Sequence, residues 1–205
     1  MVELPILHYG YRTIQLLDMS GTVVGNVLVD EASFKVLGQY IWRKLYYIKT
    51  RSYCAMRGER RGGKYIPIYM SREILGLPRN PGRGGDVADH KNHDRRDNTP
   101  GNLRVATNIQ SNENRRGCGS SHRFKGYSEN KDKYQPRIGG SGSRIYFDSV
   151  STEIDAALMY NYAAGLVQGE YAKLNAIPED EMPSRKIRWK LMGIVVEKLM
   201  LEGVI

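Results

Sequence analysis

Residues 86–116, DVADHKNHDRRDNTPGNLRVATNIQSNENRR, constrain the fold more than any other stretch of the chain. Val87–His90 suits a short strand. The loop after it is polar and rich in Asn and Asp, whose side chains close turns on their own backbone. Asn102–Leu103–Arg104–Val105 reads as a second strand-like piece. Thr107 then opens a helix, and Gln110 three residues on completes a capping box. The order is strand, loop, strand, helix. Two of the four histidines, His90 and His93, lie in this segment.

The residue types suit phosphodiester hydrolysis. That reaction needs a base near neutral pH, and His serves. It needs charge stabilisation at the phosphate and the leaving oxygen, which a divalent cation supplies. A hard cation prefers oxygen ligands. Asp89 can hold such a cation and His90 can act as the base. Neighbours on a strand point to opposite faces, so both reach one phosphate only at a strand end or bulge. Asn102 can hydrogen-bond the backbone around His90 and fix its ring. His93 reads as a loop residue, and Asp94, Asp97 and Asn98 as turn-formers. Arg104 and Arg115 suit either phosphate contact or a solvated face.

With its DH start, DN turn, NLR strand and Asn-rich helix, the segment resembles the HNH nucleases of the ββα-metal fold. The similarity is strongest to the homing endonucleases of phages and introns. IPIYMSREILGLP (66–78) resembles the stretch that precedes the motif in that family. The resemblance implies Asp89 as metal ligand, His90 as general base and Asn102 as the residue that positions it. It implies one Mg²⁺ or Mn²⁺ ion, with a second ligand from the helix. Ser111 stands where the family has Asn, and Asn112 follows it, so either is the candidate. Ser71 also departs from the family's usual His. These two departures leave an alternative: a DNA-binding protein with an inactive nuclease.

Elsewhere the pattern is mixed, and the expected class is α+β. Residues 9–30 read as two strands around Ser20–Gly21, and 31–39 as a short helix ending at Gly38. Residues 40–70 suggest a hairpin that breaks at Gly62–Gly63. Residues 71–77 are at most a short helix. Thr152 is a plausible N-cap for a helix over 152–168, with Ala156, Met159, Tyr160, Ala163 and Val167 on one face. A final amphipathic helix spans 184–202, with Ile187, Met192, Val195, Val196 and Leu199 apolar. Its role is open between core packing and dimerisation. Pro78–Gly85 and Gly117–Ser121 read as linkers. Four segments follow: a basic β-rich region (1–85), the nuclease-like motif (86–117), a sheet-and-helix domain (121–175) and the last helix (176–205).

Charge then separates function classes. The net charge is +9, and +7 of it falls in residues 1–85, with a dense cluster at Arg51, Arg57, Arg60, Arg61 and Lys64. The motif itself is nearly neutral. Such a surplus points to a polyanion. Residues 121–147 read as three strands carrying six basic and two acidic residues. Arg123, Lys125 and Tyr127 fall on one face by alternation, Gln135 and Arg137 share a face of the second strand, and Arg144 and Tyr146 share one of the third. A basic twisted sheet fits the major groove. Pro136 lacks a ladder donor and predicts an edge or a bulge.

Lys125-Gly126-Tyr127, Tyr134-to-Ile138, Ala156-Ala157 with Tyr160-Asn161 and Ala163-Ala164, and Gly169-to-Asn175 together resemble the plant Apetala and ethylene-response-factor DNA-binding domain. With the motif, this implies a DNA endonuclease of phage origin. It would bind double-stranded DNA as a monomer or weak dimer and leave 5′-phosphate and 3′-hydroxyl ends. The candidate DNA contacts are Arg57, Arg60, Arg61, Lys64, Arg104, Arg123, Lys125, Tyr127, Arg137, Arg144 and Tyr146. No apolar run is long enough to span a membrane, no secretory signal is evident, and two cysteines exclude a disulfide framework. A cytoplasmic setting in a bacterial host is expected.

Overall fold

Between Tyr11 and Asp30 apolar residues alternate on either side of a turn. The chain folds back there as β1 (Tyr11–Leu17) and β2 (Val23–Asp30). Asp18 closes the turn, its carboxylate accepting from the backbone N–H groups of Ser20 (2.8 Å) and Thr22 (3.0 Å). The computed structural model describes residues 10–48, 51–79, 82, 84–115, 122–139 and 144–205. Part of the Pro78–Gly85 stretch and all of Gly117–Ser121 lie outside them, so those linker readings concern undescribed chain. The chain divides into two compact units, Met1–Asn108 and Ile109–Ile205. The class is α+β, β-rich at the N-terminal end with its long helices toward the C-terminus.

In the first unit, α1 (Glu31–Leu37) is capped by Asp30, whose side chain accepts from Ser33 N. Next come β3 (Trp42–Tyr47), β4 (Ser52–Arg61), β5 (Lys64–Tyr69) and α2 (Met70–Ile74). The five strands form one sheet ordered β2-β1-β3-β4-β5. Gly62 and Gly63 both have positive φ, which the two-residue turn between β4 and β5 requires. Register sets the core. Ile14 faces Val27, and Leu16 meets Trp42 across a parallel pair. Trp42 is fully buried, and its indole N–H donates to Leu37 O (2.9 Å).

That core corrects one expectation. Arg57 does not belong to a free basic tip: alternation along β4 turns it inward. Its side chain is 12 % exposed and bonds Glu73 (2.8 Å). Its guanidinium also lies over the rings of Tyr40 (4.1 Å) and Trp42 (5.6 Å). Arg60, Arg61 and Lys64 stay exposed at the hairpin end, with Arg61 paired to Glu59.

The first unit is completed by β6 (Val87–His90) and β7 (Leu103–Ala106), an antiparallel pair. The boundary between units falls in α3 (Asn108–Glu113). The second unit holds a sheet ordered β10-β9-β8, from β8 (Tyr127–Asn130), β9 (Lys133–Gly139) and β10 (Arg144–Tyr146). Lys131 and Asp132 turn β8 into β9 with positive φ at both positions. Then come α4 (Glu153–Gln168), capped by Thr152 on Asp155 N, and α5 (Arg185–Leu201). Asn175 bonds both the N–H and the carbonyl of Lys125 (2.7 and 2.9 Å), tying the chain after α4 to the sheet's entry.

Pro136 sits in the central strand rather than at an edge. It is tolerated because β10 stops beside it. Phe147 N donates to Pro136 O, the chain bulges through Asp148 and Ser149, and Val150 resumes pairing with Tyr134. The core forms where Ile138, Phe147, Met159 and Ala163 meet Leu191, Val195 and Leu199 of α5. The last helix therefore packs on the core, along a stripe that includes Leu191 and leaves Ile187 exposed.

Two outcomes are expected on thermal or urea unfolding. Arg57→Ala should destabilise by roughly 1–3 kcal/mol, whereas Arg60→Ala should stay within about 0.5 kcal/mol of the parent. Gly126 has φ +95°, and a Cβ there would fall 1.9 Å from the Tyr160 ring. Gly126→Ala should therefore cost on the order of 2–4 kcal/mol, from backbone strain and overpacking together.

Candidate active site

The site is built on β6 and β7. Asp89 pairs in register with Arg104, and His90 with Leu103. Residues directly opposite share a face. Asp89 and Arg104 therefore meet, and Arg104 Nε donates to Asp89 Oδ2 (2.9 Å) with the side chains 10 % and 7 % exposed. This corrects the reading of Arg104 as a phosphate contact. Its register turns it onto the carboxylate, where it offsets a buried charge. His90 is the last residue of β6.

The loop after His90 carries one apolar side chain, the exposed Pro100, so its own polar groups hold it. Asp97 accepts from the Thr99 N–H and hydroxyl and from the Asn92 amide. Asn92 in turn accepts from Asp94 N (2.7 Å). Asn102 spans the loop, accepting from Asn92 N (3.0 Å) and donating to Asp97 O (2.7 Å). The loop also docks on β2, an edge strand. Leu28 N donates to Arg96 O (2.7 Å), and Asn98 N donates to Leu28 O (2.8 Å).

The ring of His90 meets Asn98. Nε2 lies 3.2 Å from Asn98 Oδ1, and Asn98 Nδ2 faces Arg95 O (3.4 Å). With the amide so assigned, Oδ1 accepts from Nε2–H, and the neutral imidazole carries its lone pair on Nδ1. Burial pushes the His90 pKa below its usual range. The Asn98 bond opposes that shift, and the Arg95 cation reinforces it. A neutral imidazole is the form that accepts a proton.

Asn98 is the residue that sequence reasoning missed. It was read as a turn-former, yet its side chain holds the ring and the residue is only 2 % exposed. Asn102 bonds the loop backbone after His90, at Asn92 N and Asp97 O. The DN pair was the available signal. Asp97 makes the turn while Asn98 turns inward.

The other candidate residues scatter. Ser111 and Asn112 lie on α3 in the second unit, Ser111 half-buried and Asn112 exposed. Three proposed DNA contacts have structural duties instead. Arg123 makes a two-point ion pair with Glu181. Lys125 Nζ donates to the carbonyls of Glu113 (2.7 Å) and Arg115 (3.0 Å). Tyr127 is buried, with its hydroxyl on Glu153. The reason is that β8 begins only at Tyr127, so Arg123 and Lys125 precede the strand and no sheet face presents them. Arg137, Arg144 and Tyr146 do share a face. Tyr146 pairs with Arg137 and Arg144 with Gly139, on the side opposite inward Ile138. Lys133 and Gln135 belong to that face by alternation.

No family model matches the chain, and no curated protein or solved structure does.

Among the described residues no three His, Cys, Asp or Glu side chains group as a metal cluster. Asp89 is the carboxylate adjacent to His90 on β6, and Asp97 also acts on the ring electrostatically. A single carboxylate completed by water and substrate oxygen is a common way to hold a hard Mg²⁺-like ion. It does not resemble the N/S set of a zinc site. No helix among the described residues is long and apolar enough to cross a membrane.

Removing Arg104 would leave Asp89 buried without its cation. Arg104→Ala should cost roughly 3–5 kcal/mol in urea unfolding. The exposed Asp94–Arg96 pair provides the contrast: Arg96→Ala should cost about 1 kcal/mol or less.

Proposed function

We propose that the chain is a metal-dependent DNA endonuclease. In this reading the chain carries an HNH-type nuclease motif (86–117) and an Apetala/ethylene-response-factor-like DNA-binding domain (121–175). The observation that carries it is the setting of His90: a half-buried imidazole held by Asn98 at the end of β6, one residue from the buried Asp89.

His90 accepts a proton from water at Nδ1 as the water attacks the scissile phosphorus. Asn98 holds the opposite ring nitrogen, so the ring does not swing as the proton moves. Asn102 and Asp97 keep the loop rigid beneath it. Asp89 would hold a Mg²⁺ or Mn²⁺ ion. When bound, that ion supplies charge stabilisation at the phosphate and the leaving 3′ oxygen. The products carry a 5′ phosphate and a 3′ hydroxyl. Arg60, Arg61 and Lys64, with the sheet face of Lys133, Arg137, Arg144 and Tyr146, hold the DNA. Each chain has one site and nicks one strand per visit, as a monomer or weak dimer in the cytoplasm of a bacterial host.

A second reading has its own observation. Arg104 already engages Asp89, and Ser111 is a weak ligand, which favours a DNA-binding protein whose nuclease is inactive.

Supercoiled plasmid with Mg²⁺ or Mn²⁺ separates the two readings. The parent should nick it, and His90→Ala should lower the rate by about 10²–10⁴-fold while keeping DNA affinity. Binding without metal-dependent nicking by the parent would establish the second reading instead.

A further inference from the structure

The first two turns of α5 carry Arg185, Lys186, Arg188 and Lys190, and the first turn contains no acidic residue. None of the four cations forms an ion pair with a described residue. The acidic turn just upstream, Glu179–Glu181, commits Glu181 to Arg123. Cations at this end of a helix oppose its dipole, so helix stability does not account for them. Packing does not account for them either. Leu191, Val195 and Leu199 form the buried stripe, which turns Lys186 and Lys190, one turn apart, toward solvent. Trp189 lies among these cations and is 58 % exposed, an unusual place for a large indole. A fixed helix thus presents unpaired cations around an open aromatic ring. Phosphates match the cations, and a sugar or base edge matches the ring.

We propose that the N-terminal half of α5 is a second DNA-contacting surface, using Arg185, Lys186 and Lys190 for phosphates and Trp189 for an apolar or stacking contact. It rests on the reading of the chain as a DNA-binding protein. It adds a contact outside both the nuclease-like motif and the three-stranded sheet.

The chain has two tryptophans, and Trp42 is fully buried. Acrylamide quenching of the intact protein therefore reports chiefly on Trp189. Fluorescence anisotropy of a labelled duplex measures binding independently. The expected result is that saturating duplex protects the emission at least twofold, and that Trp189→Phe abolishes the change. In a salt titration, Arg185→Gln/Lys186→Gln/Lys190→Gln should reduce the slope of log K against log salt by about 2–3. Duplex binding with quenching and slope both unchanged would overturn this proposal and leave DNA binding standing. Absence of any duplex binding would overturn both. Protection by anionic phosphatidylserine vesicles but not by duplex would assign the surface to lipid. Protection that grows with protein concentration alone would assign it to a second copy. Either of those outcomes overturns the proposal.

Discussion

The candidate site depends on holding still a loop whose one apolar side chain, Pro100, is exposed. Residues 91–102 gain little order by burying hydrocarbon, so most fixed residues are compensated by hydrogen bonds. The compensation comes at two levels. Asp97, Asn92 and Asn102 close the loop on itself, satisfying backbone groups that turns leave open. Leu28 of β2 then takes the loop as a partial extra strand, through its N–H to Arg96 and its carbonyl to Asn98. That second step places Asn98 under the His90 ring. It also covers part of an exposed sheet edge, which is otherwise a site of unwanted pairing. One docking event thus serves stability and positions the imidazole.

The buried Asp89–Arg104 pair follows from the same geometry. An antiparallel register sets the two residues opposite one another, and desolvation makes each dependent on the other. Such a pair adds little net stability compared with apolar residues of the same size. Its value lies in keeping a carboxylate at a place where a nonpolar side chain would pack more cheaply. A carboxylate has more acceptor capacity than one Arg N–H uses, so the pair does not by itself bar a cation.

Much of this architecture was legible in the residues. Thr152 marked α4 because an N-cap oxygen must meet a free N–H, and Gly62–Gly63 marked the hairpin because both positions need positive φ. His90 and Asp89 stood out because their chemistry is local. What was not legible was long-range. Nothing in residues 91–102 announces Leu28 as a partner, since a backbone pairing leaves no trace in side-chain identity. Alternation does not reach Arg123 and Lys125, because strand β8 starts two residues after Lys125. Pro136 shows the reverse case. The missing donor was read correctly, but where the neighbouring strand would stop was not readable from composition.

The same limit explains the cations. Net charge counts Arg57, Arg104, Arg123 and Lys125 with the rest, yet each is spent inside the protein on a carboxylate or a carbonyl. Cations without a carboxylate partner among the described residues include Arg60 and Lys64 on the β4–β5 hairpin, Lys133, Arg137 and Arg144 on the face of β9–β10, and those of the first turns of α5. Burial alone does not sort these two classes, since Arg123 is exposed and still paired. Partnering sorts them. A cation already engaged by a protein acceptor must exchange that bond for one to phosphate and gains only the difference, whereas an unpaired cation gains the phosphate interaction and counterion release outright. The electrostatic surface relevant to a polyanion is therefore smaller than a charge of +9 implies.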